Sequence, residues 1–214
     1  MDMGRIGLRE MKKQMTRKTI ADAALKLTEE RGLDEVTIDD IAREAFVSPR
    51  TISNYFATKE EAVLGAFNLG VEQVIDDFAT RSPEGPPLQR LCTLMRDYAR
   101  ENPAQLRQAA QVTALEAENP SLRRFRIERE LELIELLAHR LAACTGTDPK
   151  TDLYPGLVAL AAISAVNMSL AMWARRELPD EQLPELIQDA FNIVSDGYPH
   201  PAKNAPEQTA PEPV

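Results

Sequence analysis

The chain has few of the residues that stabilise small disulfide-rich or metal-bound folds: its 214 residues include two cysteines, two histidines and nine glycines, and aromatics make up 5%. Cys92 and Cys144 form no Cys-x-x-Cys pair, so neither a zinc ribbon nor a disulfide framework is predicted. His139 and His200 are isolated from other metal-ligating residues. Gly-rich phosphate loops and nucleophile elbows are also missing. We therefore expect no enzyme activity, no metal and no cofactor.

The charge of the chain is negative overall but unevenly distributed. The formal net charge is −9, which argues against non-specific binding of nucleic acid. Residues 1–18 nevertheless carry six basic and two acidic side chains, whereas residues 66–214 carry 14 basic and 22 acidic ones. A basic arm on an acidic body predicts an anionic partner at one end. The arm could follow DNA phosphates or enter a minor groove, or it could be a solvated tail. Its basic side chains are Arg5, Arg9, Lys12, Lys13, Arg17 and Lys18.

The first quarter of the chain predicts three helices. Thr16 can cap the first helix, and Gly32 ends it as a left-handed residue. Thr37 begins a short second helix, and Ser48 followed by proline opens a third helix to about Tyr55. No strand pattern is present here or later, so we expect an all-α protein of about nine helices.

The rest of the chain predicts six further helices. Thr58 with Glu61 forms a capping box that begins a long fourth helix to about residue 79, and the segment 81–87 is a loop. Residues 199–214 contain five prolines and few apolar residues, which predicts a disordered tail. The five remaining helices are predicted at 88–101, 103–118, 121–144, 153–177 and 181–196.

Residues 37–55 have the pattern of a helix, a short turn and a second helix, which can lie in the DNA major groove. Arg50 can donate two hydrogen bonds to guanine, Asn54 can pair with adenine, and Thr51 offers a methyl group that fits thymine. Ser48 could share that outward face. The alternative, on spacing alone, is a small helical bundle whose third helix is polar by chance.

The runs TIDDIA at 37–42 and VSPRTISNYFATKEE at 47–61 resemble the tetracycline-repressor-like (TetR) family of bacterial transcription regulators. The similarity covers about residues 16–67. It implies an all-α homodimer whose first three helices bind DNA and whose fourth helix leads to a ligand-binding domain. The last two helices would form the dimer interface.

The resemblance also implies roles for individual residues. Thr37 and Tyr55 correspond to phosphate contacts of the family, and Lys59 to its lysine at the start of the fourth helix, where backbone N–H groups also suit a phosphate. Two positions depart from the family pattern. Phe46 replaces a glycine in the turn, where a left-handed backbone would be strained, and Ser53 replaces a frequent aromatic.

Candidate effector contacts are polar or aromatic side chains within apolar helices, although a Met and Trp stripe could equally be core or dimer seam. They are Tyr98, Phe125, Asn167, Met168, Met172 and Trp173. Arg123, Arg124 and Arg126 could meet an anionic head group, as in relatives that sense acyl-coenzyme-A-like compounds, or pair with Glu128 and Glu130.

The uncharged segment 153–174 is long enough to span a bilayer, but its alanines and polar interruptions favour a core helix. We expect its small residues, with the apolar stripe of the last helix, to form the dimer interface. The small residues are Gly156, Ala159, Ala162 and Ala165, and the stripe consists of Leu183, Leu186, Ile187, Ala190, Ile193 and Val194.

The predicted organisation is a basic flexible arm (1–15), a helix-turn-helix DNA-binding domain (16–57), a helical effector-binding and dimerisation domain (58–198) and a Pro-rich tail (199–214). The sequence predicts a cytoplasmic, sequence-specific DNA-binding regulator that acts as a repressor and is released by a small-molecule effector. The expected partners are a palindromic double-stranded DNA operator, a second copy of the chain and a small lipophilic effector, with no membrane. The alternatives are a DNA-binding protein without an effector and a helical protein-interaction module.

Overall fold

The computed structural model describes residues 8–65, 71–80, 84–116 and 119–198, and within these ranges the chain is α-helical without strands. The predicted all-α fold with an N-terminal helix-turn-helix is confirmed. Residues 66–70, the start of the basic arm with Arg5, and the tail from residue 199 with His200 lie outside the described residues. The described ranges contain ten α-helices: α1 (Leu8–Arg31), α2 (Ile38–Glu44), α3 (Pro49–Ser53), α4 (Lys59–Gly65), α5 (Val71–Thr80), α6 (Pro87–Glu101), α7 (Pro103–Leu115), α8 (Pro120–Thr145), α9 (Leu153–Arg175) and α10 (Leu183–Ser195), with a 3-10 turn at Asp180–Gln182 before α10.

Helix α1 begins at Leu8, eight residues before the predicted cap. The Thr16 hydroxyl donates back to the Lys12 carbonyl at 2.9 Å, as a hydroxyl within a helix does, instead of capping a helix end. Residues 8–15 contain only good helix formers and neither glycine nor proline, so nothing stops the helix there. The described part of the predicted flexible arm is therefore helical.

The predicted caps farther along the chain are confirmed. The Ser48 hydroxyl accepts a hydrogen bond from Thr51 N at 3.0 Å and begins α3. The Thr58 hydroxyl accepts from Glu61 N at 3.1 Å and begins α4. The Glu61 carboxylate accepts from Ala57 N at 2.6 Å, one residue before the cap. These bonds satisfy N–H groups that a helix N-terminus leaves without intrahelical partners.

Two hydrophobic cores organise the helices. The N-terminal core joins α1 to α4 and includes Val112 of α7 and Leu122 of α8. The C-terminal core is formed by α5 to α10 and includes Leu133 and Leu141 of α8. Helix α8 thus contributes its first turns to one core and its later turns to the other.

Helix α9 faces the opposite way from the sequence prediction. Ala159, Ala162 and Ala165 are buried against helices of the same chain, so they do not offer a surface to a second copy. Among the described helices, α9 is the one long and apolar enough to cross a membrane, yet only one side of it is buried in the fold. Its exposed side is a row of large apolar residues, called the outer stripe below, which consists of Leu153, Tyr154, Leu157, Leu160 and Met168.

The stripe predicted on the last helix is divided in the same way. Leu183 and Ile187 are fully buried in the C-terminal core, whereas Ile193 is half exposed. Both faces of α9 are apolar, so hydrophobicity alone did not indicate which face of that helix turns inward. The side chains exposed to a partner are therefore the large apolar ones of the outer stripe and not the small residues of α9.

Candidate nucleic-acid interface and ligand cavity

Helix α3 has one buried and one exposed face. Ile52 is fully buried in the N-terminal core, where Phe56 packs beside it just after the helix. Arg50 and Asn54 lie on the exposed side with Ser48, and Thr51 is partly exposed. The side chains singled out for contacts with base edges therefore share one accessible face. The helix is shorter than predicted, because it ends at Ser53 and Asn54 caps it.

The turn before α3 keeps the left-handed backbone that we considered from the sequence. Phe46 has φ of 54° and its side chain is 96% exposed. A left-handed backbone brings Cβ too close to the following carbonyl oxygen in any residue but glycine, at a cost of about 1–2 kcal/mol. The turn is thus built as in a glycine-containing turn, and Phe46 bears the strain without compensating burial. Ser53, the second departure, is exposed and donates to the Pro49 carbonyl at 3.2 Å.

Lys59 fastens the loop that precedes α2. Its ammonium donates to the carbonyls of Leu33 at 2.7 Å and Val36 at 3.0 Å, and the Asp34 carbonyl lies at 3.5 Å. The partly buried Lys59 ammonium thus binds carbonyl oxygens of its own chain, whereas we expected it to bind a phosphate. The structure therefore gives Lys59 a positioning role within the fold, and its phosphate contact stays a prediction.

Thr37 lies directly before α2, and Tyr55 lies two residues after the end of α3. The Thr37 hydroxyl accepts from Asp40 N at 3.2 Å, and the Asp40 carboxylate accepts from both Thr37 N and the Thr37 hydroxyl. These hydrogen bonds hold the pKa of Asp40 below its usual range. Thr37 is exposed, and Tyr55 is half-buried against the N-terminal core. Thr37 is thus held in place by hydrogen bonds and Tyr55 by packing.

The basic side chains of α1 divide into two groups. Arg9, Lys12 and Lys13 are exposed on the first turns of the helix. Arg17 lies over the Phe56 ring with its guanidinium carbon 5.0 Å from the ring centre, and Lys18 pairs with Asp22 on the same helix. The first group adds positive charge near the end of the molecule that carries the recognition helix.

A cavity of about 60 Å³ lies inside the C-terminal core, between α5, α6, α7, α8, α9 and α10. Its wall is aliphatic apart from one aromatic, Phe191, and three polar residues, Gln105, Glu130 and Asn167. Asn167 is the predicted effector contact that lines this cavity. Gln105 and Glu130 were missed, because a glutamine or glutamate on an amphipathic helix looks like an ordinary surface residue in the sequence.

The other predicted effector contacts lie elsewhere. Phe125 packs against the N-terminal core, and Met168 is 63% exposed on the outer stripe. Trp173 is fully buried beneath the Arg107 guanidinium, 4.2 Å from the ring centre, and Met172 is partly exposed beside it. None of these four lines the cavity, and an effector contact by any of them stays a prediction. The burial of Trp173 fits the alternative of a core residue, and the exposure of Met168 on the outer stripe is compatible with the alternative of a dimer seam.

A chain of polar contacts leads from the cavity toward the N-terminal core. Asn167 Nδ2 donates to Glu130 Oε1 at 3.0 Å, and Arg126 Nη1 donates to Glu130 Oε2 at 2.5 Å. Arg126 Nε lies 2.7 Å from the carboxylate of Glu116, a residue only 4% exposed. Burial raises the pKa of Glu116 against the opposing attraction of Arg126. Arg126 therefore bridges two carboxylates, which confirms the ion-pair alternative for this arginine.

Tyr98, the sixth predicted effector contact, does not line the cavity but binds a residue that does. Its hydroxyl donates to Gln105 Oε1 at 2.5 Å, and Gln105 lines the cavity. Burial raises the pKa of Tyr98 to about 12, which keeps the hydroxyl protonated as a donor. Tyr98 thus orients a wall residue rather than forming the wall.

A helix-turn-helix with an exposed polar recognition helix, joined to a helical body with an apolar cavity, defines a class of DNA-binding regulators. Residues 20–64 match the family described as bacterial regulatory proteins, tetR family, and residues 85–199, more than half of the chain, match the MftR C-terminal domain. The chain therefore belongs to the TetR family. It is a DNA-binding transcriptional regulator and not an enzyme.

Individual relatives agree with this assignment. The chain is 25% identical over 181 residues to MftR of Mycobacterium tuberculosis, described as a mycofactocin biosynthesis transcriptional regulator, covering 83% of this chain and 88% of MftR. It is 29% identical over 195 residues to the HTH-type transcriptional regulator TcmR of Streptomyces glaucescens, covering 87% of this chain and 85% of TcmR. The Thermus thermophilus repressor FadR, solved with lauroyl-CoA, has the same fold with a TM-score of 0.54 at 24% identity. The match covers 89% of this chain and 98% of FadR.

Proposed function

We propose that the protein is a cytoplasmic, homodimeric repressor that binds a palindromic DNA operator and is released by a small lipophilic effector. The observation that carries the proposal is the division of α3, whose buried side holds Ile52 in the core and whose other side exposes polar groups suited to base edges. A short helix fixed in this way presents its side chains at defined positions, which sequence-specific binding requires.

Within that proposal, α3 lies in the major groove. Arg50 donates two hydrogen bonds to a guanine, Asn54 pairs with an adenine, and Thr51 meets a thymine methyl group. The surrounding phosphates are met by Ser48 at the N-terminus of α3 and by the exposed basic side chains of α1. Such phosphate contacts set the orientation of the protein and contribute most of the salt-dependent affinity.

Thr37, Tyr55 and Lys59 complete the proposed phosphate interface. Thr37 is exposed at the start of α2 and its backbone is fixed by Asp40, so it can present its N-terminal turn to one phosphate. The Tyr55 hydroxyl would reach a second one. The main contribution of Lys59 is indirect, because its ammonium holds the loop 33–36 that leads into Thr37.

The outer stripe of α9 supports the dimer. Five large apolar side chains exposed along one helix would be costly in water, at roughly 25 cal/mol for each Å² of apolar surface left uncovered. A second copy of the chain covers such a stripe symmetrically, and Ile193 of α10 extends it. A two-fold axis along this face then places two copies of α3 in successive major grooves, about 34–36 Å apart.

The cavity supports effector control. Its volume of about 60 Å³ is small compared with the roughly 300–1,000 Å³ of ordinary ligand pockets, so a lipophilic effector must push the surrounding helices apart. Helix α8 lines the cavity with Leu133 and Leu137 and reaches the N-terminal core with Leu122. A typical coupling free energy of about 1–3 kcal/mol would lower operator affinity about 5- to 150-fold. The FadR complex with lauroyl-CoA is an example of a ligand bound by this fold.

In vitro selection of DNA from random oligonucleotides tests the DNA-binding part. We expect a palindrome whose half-sites are one helical turn apart. Arg50→Ala should lose about 1–3 kcal/mol of discrimination at one base pair of each half-site, because a bidentate contact with guanine is removed. Arg124→Ala, which removes an exposed arginine paired with Glu128 on α8, is the matched control and should select the same palindrome. A selection that yields no palindrome would overturn the proposal.

Light scattering at micromolar concentration tests the dimer. Leu157→Glu places a charge in the middle of the outer stripe and should convert the dimer to a monomer. Leu131→Glu alters a similarly exposed leucine on a different helix, α8, and should leave the dimer intact. A wild-type monomer, or a Leu157→Glu dimer, would refute the assignment of this face.

A further inference from the structure

The cavity has three polar residues, together called its polar edge below, in an otherwise apolar wall. They are Gln105 of α7, Glu130 of α8 and Asn167 of α9, whereas α5 and α6 contribute only apolar side chains to the wall. A ligand held there would place its apolar part among the apolar groups and its polar part against the amides of Gln105 and Asn167. The orientation of each amide then decides which polar groups are accepted.

The Asn167 amide is oriented by Glu130. Its Nδ2 lies 3.0 Å from Glu130 Oε1, and an ionised carboxylate can only accept hydrogen bonds. The amide nitrogen must therefore face Glu130. The carbonyl oxygen of Asn167 is left as a hydrogen-bond acceptor, with no partner among the residues that the structure describes.

The Gln105 amide is oriented by Tyr98 in the opposite sense. Its carbonyl oxygen Oε1 accepts from the Tyr98 hydroxyl at 2.5 Å. Its nitrogen Nε2 makes no hydrogen bond within the described ranges, so it is available as a donor. The polar edge thus combines one acceptor from Asn167 with one donor from Gln105.

The charge around this edge is negative. Glu130 is the one charged residue that lines the cavity, and its partner Arg126 is shared with the buried carboxylate of Glu116. Two carboxylates therefore surround one half-buried guanidinium. Arg123 also attracts the Glu116 carboxylate, but its side chain is exposed to water, where its charge is screened. A second anion at this edge would be repelled and would lose its own hydration.

We propose that the cavity selects uncharged ligands in which a carbonyl or similar acceptor lies next to an N–H or O–H donor on an apolar body, and that it excludes carboxylates. The ligand carbonyl would accept from Gln105, and the ligand donor would bind the Asn167 carbonyl oxygen. This inference rests on the proposed effector role of the cavity and names the chemical class of the effector.

Isobutyramide and isobutyrate form a suitable probe pair, because they have the same shape and the same number of heavy atoms but only one is an anion. Ligand-observed NMR titration of the full-length protein without DNA, at neutral pH, gives both dissociation constants. We expect isobutyramide to bind at least tenfold more tightly than isobutyrate. Equal affinities, or no binding of isobutyramide up to about 100 mM, would overturn the inference, since a fragment of this size that fits its site should bind in the millimolar range or more tightly.

Three variants link the preference to the polar edge. Asn167→Leu should weaken isobutyramide binding about tenfold, because it removes the acceptor while keeping the branching and the number of side-chain heavy atoms. Glu130→Gln should bring the dissociation constants of isobutyramide and isobutyrate closer together, because it removes the negative charge from the cavity wall. Glu135→Gln removes an exposed carboxylate on the same helix and should change neither constant. Unchanged binding in Asn167→Leu, with unfolding temperature as the folding check, would also overturn the inference.

This experiment is independent of the operator. If the probes bind as expected but selection yields no palindrome, the proposed function fails while the cavity chemistry stands. If a palindrome is selected but isobutyrate binds as well as isobutyramide, only the ligand class is wrong.

Discussion

Lys59→Met separates two possible roles of one lysine, a DNA contact and a brace within the fold. Methionine keeps most of the length of the side chain but removes its charge and its donors. The variant deletes the short hydrogen bonds from Nζ to the Leu33 and Val36 carbonyls. A hydrogen bond from a charged donor contributes about 1.5–3 kcal/mol. Because Val36 N also donates to the Leu33 carbonyl, and water reaches the partly exposed site, we expect a total loss of about 2 kcal/mol.

The assay has two readouts. Urea unfolding followed by circular dichroism gives the free energy of unfolding, and fluorescence anisotropy with the selected operator at several salt concentrations gives the salt dependence of DNA affinity. If Lys59 only stabilises the fold, Lys59→Met should lower the free energy of unfolding and weaken binding to every DNA sequence. The slope of the logarithm of the DNA-binding constant against the logarithm of salt concentration should not change. A phosphate contact predicts a slope smaller by about 0.9 for each phosphate lost.

Lys26→Met is the matched control. Lys26 also makes one short ion pair, 2.6 Å from Glu44 on α2, but that pair is exposed on the surface. We expect a smaller loss of stability for this variant than for Lys59→Met. If Lys59→Met leaves the stability unchanged and reduces the salt slope, the ammonium leaves the loop carbonyls for a phosphate and the brace is refuted.

Three further changes test the fold. Phe46→Gly should raise the free energy of unfolding by up to about 1 kcal/mol in urea titrations, because it relieves left-handed strain without exposing new surface. Gly65→Ala should lower it by about 1–3 kcal/mol, since the added Cβ would lie 2.7 Å from the Phe56 ring, whereas Gly156→Ala meets no atom within 4 Å and should not be destabilising. Glu116→Gln should gain stability relative to wild type as the pH rises above about 4.5, because a folded-state pKa above the unfolded value makes ionisation of Glu116 unfavourable to folding; a pH-independent difference would contradict this.

The helix-turn-helix could be predicted in detail because its determinants are local. A hydroxyl at a helix start, as at Ser48 or Thr58, satisfies N–H groups two or three residues away, so the sequence itself contains both partners. Lys59 lies outside that rule. Its carbonyl partners are more than twenty residues away along the chain, and no spacing pattern connects them. The sequence therefore singled out Lys59 but could not reveal its hydrogen bonds to the loop 33–36.

The cavity was largely invisible in the sequence for a related reason. Along α9 every residue from Leu153 to Ala174 is uncharged, so the pattern contains no polar side from which the inward face could be inferred. Packing against the other helices buries Ala159, Ala162 and Ala165 and leaves Leu153, Leu157 and Leu160 outside. Asn167 stood out as an amide in an apolar helix, whereas Glu130 lay among many other charged residues of α8 and carried no distinguishing mark.

The same packing places the cavity and the recognition helix at two ends of one rigid element. Leu122 and Leu137 of α8 are 15 residues apart, which corresponds to about 22 Å along an α-helix. The first is fully buried against the core that holds α3 and α4, and the second forms part of the cavity wall. A helix of this length bends little, so a ligand too large for the cavity would move Leu137 and shift Leu122 with it. We therefore expect the size of the apolar part of an effector to determine how far it weakens operator binding, and its polar group to determine whether it is admitted.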